Sequence, residues 1–557
     1  MALQLFAALL AVAQAAPRIW TADESVKVRP SDPPARAGPL RIQLAAAGNE
    51  CAGAQIVVQG PVSALGASAE PLAGAAKPVP LAVMRVATLL LERQSGPDGA
   101  AGEWPDALIP ARDALWNERR NAFPIDIAPG RAQAIFVEAC VPAAAGSGRL
   151  KGVVRLAWKG GGTEVPVELQ LRPFDLPATP ALATAFGFSG YSAAKGHGKK
   201  PDEGGALTRL YDTLALRRGI TLFGGTQDAP AHTFVDGEAR IEWTDYDAEV
   251  APFLDGTALP GGARWTSVEL REPGKLSRDE RRAWRRAWVR HFEERGWIDR
   301  LFVYVEDEPP EERLPAVEGR AAELREDVPQ ARRLLTTAVS RKLPSIDLWV
   351  PLINCLAEPA SPTCPRPATR AAYLKAEARG ARVWWYQSCA SHGCDKNGTT
   401  DPIYAGWPSY MIDAPATAAR SMGTLAFANR IAGELYYDVV LAYDQGDPWK
   451  TQWYFGGNGD GTLFYPGTHS SVGGEHDVPI ESLRLVQISR GLADHAYLSL
   501  CAKLGDERFA RAQAAALAPS LRGFSRDPRA YAAMRERLAG RIEQLLPRSR
   551  PHAAAHE

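Results

Sequence analysis

Between residues 183 and 440 the chain alternates, eight times over, a short apolar run with a stretch of helical spacing. The runs are "ATAFGF", "GITLFGG", "RWTSVEL", "RLFVYVE", "RLLTTAV", "IDLWVPL", "ARVWWYQ" and "GELYYDVV". A strand buried on both faces reads as a near-continuous apolar run, and a helix after each strand returns the chain so that neighbours lie parallel. Eight such units predict a (β/α)₈ barrel. The clearest intervening helix precedes "RLFVYVE". Ser277 and Glu280 form a capping box, Trp284, Trp288 and Phe292 recur on one face, and Gly296 ends it.

The flanks differ. Residues 17–178 offer short alternating or apolar runs, such as "AQIVVQG", "AIFVEACV" and "VPVELQL", separated by Gly, Pro and Asp. That pattern predicts an antiparallel β-sandwich. "RPFDLPATPAL" reads as a proline-punctuated linker into a barrel domain over 181–478. Residues 441–480 are rich in Gly, Asp and aromatics, 479–547 are helical in pattern, and 548–557 form a tail. At the start, an apolar run from Leu3 to Ala13 precedes the small-x-small triplet Ala13-Gln14-Ala15. This predicts a signal peptide over 1–16 and an exported protein, periplasmic or extracellular. No basic residue precedes the run, and a mature N-terminal strand is the competing reading. No later segment reaches the ~18 apolar residues of a transmembrane helix.

Charge narrows the ligand. Lys+Arg 64 balances Asp+Glu 64, so no global field attracts nucleic acid or an anionic membrane. A neutral saccharide or small molecule fits better. The 15 Trp, 15 Tyr and 16 Phe agree with sugar stacking, and equally with large aromatic cores. Among seven cysteines, Cys355 and Cys364 are close in sequence, as are Cys389 and Cys394, and export permits a disulfide in each pair. "CASHGC" adds His392, but a zinc site wants a fourth ligand at recognisable spacing. Local disulfides or free thiols are the expectation, with no metal and no cofactor.

The chemistry concentrates at "LFVYVEDEPPEE", residues 301–312. A buried strand ends in Glu306, Asp307 and Glu308, and Pro309 forces the chain out of the ladder. Acidic strand ends are commonly solvated loops. In a barrel, however, the C-terminal strand ends are where function sits. Paired carboxylates suit glycoside cleavage. In the ordinary retaining layout they come from different strands, ~5 Å apart. Adjacent acids suggest another division of labour. The longer Glu308 protonates the glycosidic oxygen, and Asp307 holds a 2-acetamido group whose own carbonyl attacks the anomeric carbon. Trp385, Tyr386, Trp453 and Tyr465, near other strand ends, are candidates for a sugar platform, and Asn354 for a hydroxyl contact. Core packing is the competing reading for each. "GGNGDG" lacks the spacing of a phosphate loop and reads as a turn, or as backbone that approaches a ligand closely. Arg484, Arg490 and Asp494, at helical spacing, read as a structural ion-pair network.

These features resemble glycoside hydrolase family 123 and related proteins sharing its C-terminal region. "VYVEDEPP" is similar to the family's apolar strand closing in Asp-Glu-Pro. "GNGDGTLFYPG" followed by "PIESLRLVQISRGLADHAYL" resembles its C-terminal signature. "GNECAGAQIVV" and "VEACVPAAAGSGRLKG" resemble the β-sandwich before the barrel. The resemblance implies a retaining, substrate-assisted β-N-acetylhexosaminidase, GalNAc favoured, needing no metal. Asp307 would orient the acetamido group, Glu308 would be the acid/base and Glu306 a bystander. The cysteine-containing loop in "WWYQSCASHGCDKNG" departs from the family pattern. Two other readings stand beside this one: a glycosidase for a sugar lacking the acetamido group, with a nucleophile on another strand, and a non-catalytic carbohydrate-binding or cell-surface protein that keeps the fold.

Overall fold

A computed structural model describes residues 16–35, 38–74, 77–200, 204–224, 229–357, 361–364, 366–388, 391 and 400–546. The chain is a mixed α/β assembly of several sheets. The segment expected to be a signal peptide lies, but for its last residue, outside the described residues, as do Cys389, His392 and Cys394.

Two sheets form the N-terminal part. One runs in the order Arg18–Asp23, Glu50–Gln59, Ala132–Val141, Leu81–Leu91, Gly102–Pro110. The other runs Ile42–Gly48, Gly161–Asp175, Gly148–Trp158, Val62–Ala69, Ile125–Ile127. Pairing is antiparallel apart from Ile42–Gly48 on Gly161–Asp175. Alternate residues of both sheets meet in one apolar core, with Ile56, Ile135 and Val137 facing Leu150, Val154 and Leu169. The expected linker starts later than the sequence suggests. The strand Gly161–Asp175 continues through Arg172-Pro173-Phe174-Asp175, because it remains beside Ile42–Gly48 to its end.

All eight apolar runs become strands of one parallel sheet: Ala183–Gly187, Leu222–Phe223, Val268–Glu269, Leu301–Glu306, Arg332–Leu335, Leu348–Trp349, Arg382–Tyr386 and Gly433–Tyr436. Numbered one to eight in chain order, they lie in the order two-one-eight-seven-six-five-four-three. That ring is nearly closed, and among the described residues its seam falls between strands two and three. Every ladder contact is parallel. The interior is filled by Ala185, Phe302, Leu334, Leu348, Val350, Trp384 and Leu435, drawn from six strands. Gly433 makes room for this packing, since a Cβ there would lie 2.4 Å from the Trp384 ring.

The helix Arg278–Glu294 starts at the expected capping box on Ser277 and Glu280. Its Trp284, Trp288 and Phe292 are wholly buried against the outside of the sheet. Beyond strand eight come two short hairpins, the one-turn helix His469–Val472 and three longer helices, Leu483–Cys501, Glu507–Leu517 and Pro528–Leu545. No helix among the described residues is long and apolar enough to cross a membrane.

Long-range ion pairs tie the parts together. Arg484, Arg490 and Asp494 do form a structural network, but not along their own helix. Arg490 binds Glu24, in the turn after the first strand, and Glu138 of the N-terminal sheets, and Asp494 binds Arg420 and Arg535. Among the described residues there are two disulfides, Cys355–Cys364 and Cys51–Cys140. The second joins direct partners of adjacent antiparallel strands.

Candidate active site

Strand four ends at Glu306, and the three acids then part company. Glu306 is held by Arg313, whose Nε and Nη2 donate to its two oxygens at 3.0 and 2.9 Å. Arg313 also holds the Glu306 carboxyl below its ordinary range. This is an exposed fork-to-fork pair of the loop, which fits a bystander.

Asp307 and Glu308 both turn to the mouth of the sheet. In a regular strand, neighbours face opposite sides. Glu308 escapes that rule because its φ is +40°, in the left-handed region that a side-chain-bearing residue enters at a cost. Thr336, the first residue after strand five, fixes the arrangement. Its Oγ1 accepts the Glu308 backbone N–H at 2.7 Å and donates to Asp307 Oδ1 at 2.8 Å. Tyr304, pointing up from within strand four, donates its hydroxyl to the same Oδ1 at 2.7 Å. Tyr386, the last residue of strand seven, donates to Glu308 Oε1. Burial and the adjoining carboxylates raise the Tyr304 and Tyr386 hydroxyls above their ordinary range, so both stay protonated donors. Below, Arg366 Nη2 donates to the Pro309 carbonyl at 2.6 Å and holds the loop.

Each acid thus has one oxygen committed to the protein. Among the described residues nothing bonds Asp307 Oδ2 or Glu308 Oε2, and these are the oxygens left for a ligand. Both residues are exposed, while Tyr386 beneath them is buried. The neighbouring third strand also ends in a carboxylate, Glu269, but its Oε2 accepts from Arg271 Nε at 3.1 Å.

Of the candidate binding residues, only Tyr386 touches the acids. Trp385, one residue earlier, faces outward and is fully buried among the helices. Tyr465 is fully buried and donates to Asp106 at 2.8 Å. Asn354 is fully buried in the turn Ile353–Leu356, where its Nδ2 donates to Thr363 at 2.8 Å. Trp453 is half-buried beneath the Arg93 guanidinium. Thr336 and Tyr304 were not picked out from the sequence. A Thr or Tyr at a strand end reads as an ordinary β-former, and only the register of strands four and five sets Thr336 beside the acids. Among the described residues, Cys51, Glu138 and Cys140 cluster closely enough to suggest a metal site. Their chemistry does not fit one: the sulfurs are bonded to each other, and Glu138 is occupied by Arg218 and Arg490.

The Thr336 link gives a direct expectation. In Thr336→Val the shape is kept, but the Glu308 N–H and Asp307 Oδ1 lose their common partner. We expect kcat to fall about tenfold, with a much smaller change in KM, because the loss is one of alignment. Steady-state kinetics test this. A change confined to KM would contradict the positioning role.

Residues 282–501 match the family model described as glycoside hydrolase 123, catalytic domain. That stretch contains Asp307, Glu308, Thr336 and Tyr386. No curated protein matches the sequence. Among solved structures, a family 123 glycoside hydrolase from Clostridium perfringens, studied for glycolipid glycan hydrolysis, superposes with a TM-score of 0.63 at 11% identity. The alignment covers 95% of this chain and 97% of that one, and it shows a shared fold. An FMN-binding β-glucuronidase from Facaelibacterium prausnitzii L2-6 gives a TM-score of only 0.27 at 12% identity, covering 75% and 57% of the two chains. At that level it carries no argument. The glycoside hydrolase 123 catalytic-domain match over residues 282–501 marks the protein as a glycosidase.

Proposed function

We propose that the protein cleaves a β-linked N-acetylhexosaminide, GalNAc favoured, with retention and with the substrate's own acetamido group as nucleophile. One observation supports this above others. The two acids are chain neighbours, turned to one mouth through a shared threonine, and each keeps one oxygen for a ligand. Glu308, protonated, gives its proton to the glycosidic oxygen as the bond to the anomeric carbon breaks. The acetamido carbonyl oxygen closes on that carbon and forms an oxazolinium ion. Asp307 Oδ2 accepts the amide N–H and offsets the positive charge as it develops. Water then attacks the anomeric carbon from the face the leaving group vacated, the bond from that carbon to the acetamido oxygen breaks, and the neutral acetamido group is restored. Glu308, now ionised and hydrogen-bonded by Tyr386, takes the water's proton, which restores the starting state.

The same proposal extends to organisation. A β-sandwich over 17–178 precedes a (β/α)₈ barrel over 181–478, a helical region over 479–547 and a tail over 548–557. The signal peptide over 1–16 directs export. Two disulfides favour an oxidising compartment and support that last point.

A panel of chromogenic β-glycosides including both N-acetylhexosamines tests the reading. Turnover of 2-acetamido sugars is expected, with inhibition by a 2-acetamido-derived thiazoline. Asp307→Asn should lower kcat/KM on these substrates about 10²-fold, the scale of losing one charge-stabilising group. Plain galactosides hydrolysed as fast as acetamido sugars would instead favour a protein nucleophile.

A further inference from the structure

Three aromatic rings stand exposed among the described residues: Trp116, Tyr191 and Phe455. Trp116 is stacked on the His476 imidazole, with centroids 4.4 Å apart. The other two belong to segments that leave the mouth of the sheet at strands one and eight. Tyr191 lies on the helix Gly190–Gly196, just after strand one. Phe455 follows the short strand Trp453–Tyr454, which packs on the turn Leu441–Asp444 beyond strand eight. The two segments are tied together: Ser192 Oγ donates to Asp444 Oδ2 at 2.9 Å, and Lys195 Nζ to the Asp444 carbonyl at 3.0 Å.

Phe455 is the outlier. Its φ is +44°, rare for a bulky residue, and its side chain is left 66% exposed. Nothing in burial accounts for that conformation. The ring is backed by Tyr454 at 4.3 Å and by Tyr437, the residue after strand eight, at 5.9 Å. The result is a ring held by two tyrosines, one edge-on and one tilted, that stays largely open to solvent. Partly exposed Asp444 and Lys195 lie on the neighbouring turn and helix. A pyranose ring has the matching chemistry, with C–H groups for the aromatic face and hydroxyls for the charged pair.

Height distinguishes which sugar. The unit being cleaved must descend to Asp307 and Glu308, where the buried Tyr386 donates to Glu308. Strand eight stands opposite strand four in the ring, and Phe455 lies beyond its end, exposed at the rim. We infer that Phe455, packed by Tyr437 and Tyr454, with Asp444 and Lys195 on the turn and helix next to its hairpin, is the stacking platform of a second saccharide subsite, holding the unit on the leaving-group side of the cleaved bond. The inference rests on the hydrolase reading above, and it names the substrate as an oligosaccharide or glycoconjugate whose next unit is also a sugar.

Phe455→Ala tests it on two substrates with the same cleaved sugar. One is a β-linked N-acetylhexosaminyl disaccharide. The other is the β-glycosyl fluoride, whose leaving group is a single atom and cannot stack. We expect kcat/KM for the disaccharide to fall about tenfold, and at least five times more than for the fluoride. Equal losses on both, or none on the disaccharide, overturn the subsite. Calorimetric binding of the disaccharide to Glu308→Gln, with and without Phe455→Ala, separates the two claims. Binding that depends on Phe455 without any turnover by the parent protein would sink the reaction and leave the subsite standing. Binding indifferent to Phe455, or no binding, would sink the subsite whatever the turnover.

Discussion

Glu308→Gln should lower kcat about 10³-fold on an N-acetylhexosaminide with a sugar leaving group, within the range for loss of a general acid. The substitution is nearly isosteric. A glutamine carbonyl still accepts from the Tyr386 hydroxyl, and the Glu308 backbone N–H still meets Thr336, so the loop keeps its shape. What disappears is the transferable proton, because an amide N–H points the same way and cannot be given up. Substrate should therefore still bind. The loss should shrink for a nitrophenyl glycoside, whose leaving group departs without protonation. Glu306→Gln is the matched control. That carboxylate belongs to an exposed pair with Arg313, and such pairs contribute little to stability. Activity should stay within twofold of the parent. Comparable losses at 306 and 308, or equal losses for sugar and nitrophenyl leaving groups, would remove Glu308 from the acid role.

How much of this site was legible in the sequence depends on which physical signal each residue leaves. The eight strands were readable because burial on both faces demands uninterrupted apolar runs, and every one of those runs forms a ladder in the sheet. Their ends were less so. "RLLTTAV" reads as one run of strand, but the ladder stops at Leu335, and Thr336 is already in the mouth. The acids were legible as a cluster because three carboxylates on a buried strand are costly. That only two of them turn inward follows from Arg313 and from a left-handed φ, which leave no mark in composition.

The aromatic candidates show the limit most clearly. Trp385 and Tyr386 are adjacent, and strand periodicity lets one of them face the mouth. Nothing local says which, but the register does: Tyr386 falls on the inward side with Trp384 and Leu435. Trp453 is half-buried beneath Arg93, and the exposed ring of that hairpin is Phe455, two residues on, past a strand too short to read. Cys51 and Cys140, separated by 89 residues, required the pairing of their two strands to be known before they could be joined. The nearer pair, Cys355 and Cys364, needed no such knowledge.

The Gly-rich run "GGNGDG" was read as a turn or as backbone close to a ligand, and its partner proves to be the protein itself. Gly459 has φ +86°, and a Cβ there would come within 2.6 Å of Arg484 Nη1. Arg484 is 1% exposed and fully satisfied. Its Nε and Nη2 donate to Asp106, Nη2 also donates to Gln452, and Nη1 reaches the carbonyls of Tyr410, Gly459 and Thr462. Asp106 in turn accepts from Tyr465. One guanidinium thus joins an N-terminal strand, the loop beyond strand eight and the start of the helix Leu483–Cys501. Arg484→Met should cost about 3–5 kcal/mol, since it strands a buried carboxylate and several carbonyls. Denaturant unfolding followed by tryptophan fluorescence measures it, and the variant should also lose cooperativity as the N-terminal sheets come loose from the barrel. Asp106→Leu combined with Arg484→Met removes the orphaned charge and should recover part of the loss, because an ion pair replaced by apolar groups costs less than one that is broken. A single variant within about 1 kcal/mol of the parent would mean that this buried pair does not hold the two halves together.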